Sequence, residues 1–354
     1  MSRTRLRNRW ALVATFAVFA IVIVVPSVAM LWIVWSSSTH PISIVPSRSH
    51  RVECLQFSPR GDGFATAEAD KTIALWTYPQ TSFKFSLAGH AEAIYCLAYS
   101  PNGLVLASAD IDGTVRLWDT SNGTPLPQIP KLMPSVFGIA FSPIGNIIGV
   151  AGGDRSHHET AGEVVLWDVR SSKVVTRWKA GKGPVYSITF SPDGSLVAAG
   201  MLDDSEVFLW NVQTGEERKI MADVGSNVRV AFGLEGMVVA AGRGGGSVIF
   251  FDSKLGGERF RLTGYPWSIM DFAFSPDGST LAVAYRSKSK GDALGLFEIW
   301  DVETRRLLIT VSAHDGNQIL CIAFSTAGSQ LATAGGDGKI MFWSTESLRR
   351  AGNR

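Results

Sequence analysis

Along residues 50–344, apolar and polar positions fall into short runs that repeat in a fixed order. An apolar, β-branched run closes on an aromatic residue, as VYSITF does at Phe190; a Ser-Pro-Asp-Gly turn follows, and a second apolar run begins at once. Two such runs joined by a short Gly-bearing turn predict a β-hairpin. A third run ends in Trp: TIALW at Trp76, TVRLWD at Trp118, EVVLWD at Trp167, EVFLWN at Trp210, LFEIWD at Trp300 and KIMFW at Trp343, while the fifth unit has Phe251 before Asp252. A fourth, more polar run, such as FKFSLAGH ending at His90, leads into the next unit. The aromatic before the turn recurs at Phe57, Tyr99, Phe141, Phe190, Phe232, Phe274 and Phe324, at intervals of 42, 42, 49, 42, 42 and 50 residues. This 42-residue period of four strands, with inserts of seven and eight residues in two units, predicts an all-β fold: a seven-bladed β-propeller over residues 42–345.

With Gly89-His90 near the start of one unit and Trp-Asp closing the third strand at Trp118, Trp167 and Trp300, the units resemble the WD40 repeat family, whose signature these pairs are, from about His50 to Trp343. In that family a buried His, Ser or Thr, Asp and Trp form a hydrogen-bonded network that ties the strands of a blade together. The resemblance assigns these roles to His50, Thr66, Asp70 and Trp76; to His90, Ser108, Asp112 and Trp118; and to His314, Thr333, Asp337 and Trp343. The fourth unit keeps Asp204 and Trp210 but has Gly-Lys-Gly in place of the His, and units three, five and six depart further. An imidazole beside an Asp could serve acid-base chemistry. Three copies at one structural position point instead to satisfied polar groups in the core. Rings of this family usually close with an N-terminal strand lent to the last blade, a role that residues 42–45 are placed to fill.

Residues 11–35, ALVATFAVFAIVIVVPSVAMLWIVW, carry no charged side chain, and a helix of that length at ~1.5 Å per residue spans a ~30 Å bilayer core. Arg3, Arg5, Arg7 and Arg9 precede it, and Trp10, Trp32 and Trp35 stand at its ends. The pattern predicts one transmembrane signal-anchor helix, with residues 1–10 cytoplasmic and the propeller extracytoplasmic, on the periplasmic or extracellular side. A cleaved signal peptide with its site near residues 27–29 is the rival, but the apolar run continues past that site and is longer than a signal h-region. Residues 36–41 then read as a linker and residues 346–354 as a basic tail.

The composition, 46% hydrophobic and 18% charged with 36 Gly, fits a many-stranded protein rich in turns. Removing the four N-terminal arginines from the formal +2 leaves −2, and removing Arg349, Arg350 and Arg354 leaves −5 for residues 36–348. That balance excludes a basic nucleic-acid footprint. Cys54, Cys96 and Cys321 each stand three residues before the aromatic of their unit, an inward column that argues against a disulfide framework. Arg229 and Asp271 occupy the same column in units five and six, where they either pair or reach a solvent-lined channel.

Candidate chemistry is sparse. GRGGGS from Gly242 lacks the helix of a phosphate loop and reads as a turn. The unit-three insert offers Asp154, His157, His158 and Glu159, without the ligand spacing of a metal site. The unit-six insert carries Arg286, Lys288 and Lys290, a basic loop suited to an acidic partner or anionic headgroups. Asn122, Gly123 and Thr124 form a glycosylation sequon. Phe137, Tyr186 and Met270 stand four residues before their unit aromatics, where strands of the family border a binding face. The sequence therefore predicts a membrane-anchored, non-catalytic protein-interaction platform without cofactor or metal, held by residues 11–35 and binding protein through units three to six. The alternative is an enzyme or small-ligand binder using the channel mouth.

Overall fold

The computed structural model describes residues 40–233, 237–241, 246–264, 267–286, 295–314 and 317–352. Strand β1 (Ser43–Pro46) precedes the first unit, formed by β2 (Val52–Phe57), β3 (Gly63–Glu68), β4 (Ile73–Thr77) and β5 (Phe83–Leu87). The second unit is β6 (Ile94–Tyr99), β7 (Val105–Asp110) and β8 (Val115–Asp119). The third is β9 (Ser135–Phe141), β10 (Ile147–Gly153), β11 (Ala161–Asp168) and β12 (Lys173–Lys182); the fourth is β13 (Val185–Phe190), β14 (Leu196–Met201), β15 (Glu206–Asn211) and β16 (Glu217–Met221). In the fifth come β17 (Arg229–Phe232), β18 (Val238–Ala241), β19 (Ser247–Phe251) and β20 (Glu258–Thr263), and in the sixth β21 (Ser268–Phe274), β22 (Thr280–Arg286), β23 (Gly295–Asp301) and β24 (Arg306–Ala313). The last unit is β25 (Ile319–Phe324), β26 (Gln330–Gly335) and β27 (Lys339–Ser344), followed by helix α1 (Thr345–Gly352).

The repeated turn has a local cause. Gly61, Gly103, Gly194, Gly278 and Gly328 each donate N–H to the carbonyl of the Ser three residues earlier, at 2.7–2.9 Å, and each adopts φ near +70°. A side chain is strained in that conformation, so the turn ends in Gly. The Ser beneath stays buried.

Strands pair antiparallel in chain order within each sheet, and β1 completes the last sheet on β27, with Ser43 opposite Phe342 and Val45 opposite Ile340. The core lies at the seams. Apolar clusters join each sheet to the next, and one joins Val52 and Phe64 of the first unit to Ala332 and Phe342 of the last, closing the ring. Burying one such side chain contributes about 1.5–3 kcal/mol. First strands of all the units line one central channel of about 390 Å3.

Several expectations are corrected. Among the described residues the propeller has six four-stranded blades rather than seven, because the sheet of the second unit stops at three strands. Beyond β8 the chain carries Pro125, Pro127 and Pro130, which lack a ladder N–H. Only isolated bridges remain there, Trp118 opposite Pro125 and Val115 opposite Ile129.

The single-pass membrane topology, with its anchor, signal-anchor and extracytoplasmic propeller, is also withdrawn. Among the described residues no helix is long and apolar enough to cross a membrane, and residues 11–35 lie outside the described residues. Over residues 346–352 the basic tail lies in α1, whose Leu348 is buried.

Candidate functional site

The polar network of the last unit uses the four expected residues. His314 Nδ1 lies 2.8 Å from Asp337 Oδ1 and its Nε2 2.9 Å from Thr333 Oγ1, which accepts the Trp343 indole N–H at 3.1 Å. Burial pushes the Asp337 carboxyl up, but hydrogen bonding and charge from His314 outweigh it and hold the group below its usual range.

Unit two substitutes one member. His90 Nδ1 lies 2.6 Å from Asp110 Oδ2, not from Asp112, and Nε2 lies 2.7 Å from Ser108 Oγ, which accepts from Trp118 at 2.8 Å. Asp112 sits in the turn, accepting from Thr114 N at 3.0 Å and Thr114 Oγ1 at 2.6 Å. Burial and then the nearby Arg116 charge lower His90 to about 4. Asp110, fully buried, is raised by burial and by its hydrogen bond with Asp112 to about 7. Asp112 drops to about 2 through the hydrogen bonds from Asp110 and Thr114.

In unit one the expected His50 is exposed and outside the network. Trp76 donates to Thr66 Oγ1 at 3.0 Å, and Thr66 donates to the buried Glu68 at 2.8 Å. Ser49, through N and Oγ, donates to the other Glu68 oxygen at 2.9 Å. A Ser–Glu pair thus replaces His–Asp, and Asp70 only caps its turn through Thr72. Two further units satisfy their Trp with a Glu that sequence reasoning passed over. Glu298 accepts from Tyr285 Oη at 2.7 Å and Trp300 Nε1 at 2.9 Å, and Glu217 accepts from Trp210 Nε1 at 3.0 Å. An acid two residues before Trp300, or opposite Trp210 on the next strand, was the available signal.

The channel is lined by the expected Phe137, Tyr186, Met270 and Arg286. Lys288 and Lys290 lie outside the described residues, as do residues 242–245. Sequence reasoning missed other members of this column: Glu53, Leu320 and Tyr95, the last 42% exposed, also line the channel four before their unit aromatics. The Tyr95 ring meets Phe137 edge-on at 5.7 Å, and Phe137 meets Tyr186 at 6.5 Å. The Arg229 guanidinium lies 5.5 Å from the Tyr186 ring centre, donates to the Met270 carbonyl at 2.7 Å and pairs with Asp271 at 3.4 Å. Asp271 also accepts from Ile322 N at 3.0 Å, so the pair spans units five, six and seven. Burial raises Asp271, with Arg229 opposing. Cys54, Cys96 and Cys321 line the same channel as free thiols. Burial raises all three, Cys54 to about 11 and Cys96 and Cys321 well above the usual thiol range.

Register fixes which end of the ring this is. Ser135 pairs with Gly153 and Ser268 with Arg286, so each first strand begins where its second strand ends. The unit-three insert therefore leaves the sheet at the Phe137 end. Within it His157 contacts Asp154 at 2.8 Å, His158 reaches Asp203 of the next unit at 2.7 Å, and Lys182 pairs with Glu159 at 2.6 Å. Among the described residues no three His, Cys, Asp or Glu converge on a point that could hold a metal ion.

A family model described as WD domain, G-beta repeat matches residues 40–77, 81–119, 172–211 and 305–344. Each match opens at or before an outer strand and ends on a Trp-bearing strand, the offset that lets β1 complete the last sheet. Periodic tryptophan protein 2 of Arabidopsis thaliana is 26% identical over 188 residues, covering 52% of this chain and 15% of that protein. Pre-mRNA-processing factor 17 of Homo sapiens is 25% identical over 194 residues, 51% of this chain and 31% of its own. Guanine nucleotide-binding protein subunit beta-like protein 1 of Mus musculus is 29% identical over 93 residues, 26% of this chain and 28% of its own. The chain spans less than half the length of these relatives. With four matched repeats joined in one ring of antiparallel sheets, the chain belongs to the WD40 repeat family.

Proposed function

We propose that this WD40 ring is a non-catalytic protein-interaction platform that receives a segment of its partner at the channel mouth. One observation carries the reading: Tyr95, Phe137, Tyr186 and Met270 line one end of the channel, with Tyr95 left 42% exposed while Phe137 and Met270 are buried. Aromatic residues, Met and Arg are the side chains enriched at the centres of protein interfaces. The titratable groups support an absence of catalysis. Glu53 and Asp271, the channel carboxylates among the described lining residues, are both paired with arginine. The channel thiols are held protonated by burial and so are poor nucleophiles.

The test compares partner recovery by wild type, by a Tyr95→Ala and Tyr186→Ala double variant, and by a variant with residues 155–160 shortened. A single partner should be recovered by wild type and lost with the double variant at unchanged melting temperature, with a smaller loss for the shortened insert. Equal recovery by all three places the docking face elsewhere.

A further inference from the structure

Charge at the mouth is unevenly neutralised. Its described lining holds three guanidinium groups, Arg51, Arg229 and Arg286, against two carboxylates, Glu53 and Asp271. Arg51 pairs with Glu53 at 2.7 Å and Arg229 with Asp271 at 3.4 Å, so both carboxylates are occupied. The side chain of Arg286, the exposed last residue of β22, makes no hydrogen bond or ion pair among the described residues. A guanidinium stays charged at any physiological pH and presents a planar fork of donors that matches a carboxylate. Its attraction for an anion also grows as an apolar occupant displaces water from the mouth.

We infer that Arg286 is the anion-binding point of the platform, and that the segment docking at the mouth carries an Asp or Glu side chain together with an aromatic or aliphatic one. The carboxylate takes the guanidinium fork, and the apolar side chain packs on the rim of Tyr95, Phe137 and Tyr186. This inference rests on the mouth being the docking face. The aromatic rim is what selects a polypeptide over a free anion, because a bare anion gains nothing from it.

The probe is a phage-displayed library of random dodecapeptides selected on the full-length chain, followed by titration of the enriched peptides. Peptides whose binding is lost with Tyr95→Ala should be enriched in Asp or Glu. Arg286→Glu should weaken them by about tenfold or more, and Arg286→Lys by less, as expected of a charge-assisted fork contact. Binding should also weaken as salt is raised. Melting temperatures of the Arg286 variants serve as the check on folding, since this side chain is exposed. Peptides that depend on Tyr95 but show no acidic bias, or bind Arg286→Glu as well as wild type, overturn the acidic reading and leave the platform standing. If no selected peptide depends on Tyr95, the docking face itself is wrong.

Discussion

Asp110 and Asp112 stand two residues apart and have opposite fates. Asp110 faces inward at the end of β7 and takes the His90 imidazole, while Asp112 remains in the turn with Thr114. Spacing to the Trp selects Asp112, as it correctly selects Asp337 in the last unit, because both lie six residues before the Trp. What spacing cannot register is a second acid at the strand end, which reaches the imidazole without leaving the ladder. Glu68 gains its place in the same way, from the equivalent end of β3, with Ser49 in place of an imidazole.

The His90–Asp110 pair makes a pH prediction with a defined sign. His90 falls from 6.5 to about 4 on folding, so its contribution is present above pH 6.5 and is lost as pH falls towards 4. Asp110 rises from 3.8 to about 7, so its contribution is present below pH 3.8 and is lost as pH rises towards 7. Between pH 4 and 6.5 the folded and unfolded pairs each hold one proton, and the two slopes cancel. Asp110→Asn removes one side of that balance. Its stability, followed by urea unfolding, should fall more steeply than wild type between pH 6.5 and 4.5, by up to about 1.4 kcal/mol per pH unit. Parallel pH profiles for the two proteins would show that the pair does not titrate as described.

At the scale of elements, the strands were legible because each needs only a short apolar run and a turn, and the turn glycines punctuate both. Ring closure was legible too: residues 42–45 form an isolated strand signal, and β1 lies on β27. A variant lacking residues 42–46 should melt below wild type and enter larger species on size exclusion, since β27 then presents an unpaired edge. Identical melting and elution would mean that closure rests on the seam clusters alone.

The elements at two outer positions were misread. Pro125, Pro127 and Pro130 were visible, yet the 42-residue period outweighed them and a fourth strand was expected in the second unit. Helix α1 was overlooked because eight residues give too few turns for an apolar period to emerge. Its attachment is tertiary: Leu348 is buried beside Leu308, and Arg349 Nε donates to Thr280 Oγ1 at 2.9 Å. Leu348→Ala should cost about 2–5 kcal/mol in chemical denaturation, the usual range for a buried Leu. A cost below about 0.5 kcal/mol, typical of a surface site, would detach the helix from the core.

At the scale of the whole molecule, stability depends on how each sheet is joined to the next around the channel. Between the fifth and sixth sheets, apolar packing holds the body of the seam through Phe250, Phe272 and Leu281. Near the channel the short strand β17 contributes Arg229, which meets Asp271 and the Met270 carbonyl of β21. Asp271 in turn accepts the Ile322 N–H of the seventh unit, so one carboxylate links two seams. Removing a single partner leaves a partly buried charge unpaired, whereas replacing both removes the desolvation cost along with the attraction. In a cycle of Arg229→Met, Asp271→Asn and the double variant, each single change should lower stability by about 1–3 kcal/mol. The double variant should lose less than the sum of the two, giving a coupling energy of about 0.5–3 kcal/mol. Denaturant midpoints measured at constant slope provide the comparison. Additive losses would mean that the pair shares the channel without joining its sheets, leaving the fifth and sixth units held together by their apolar seam.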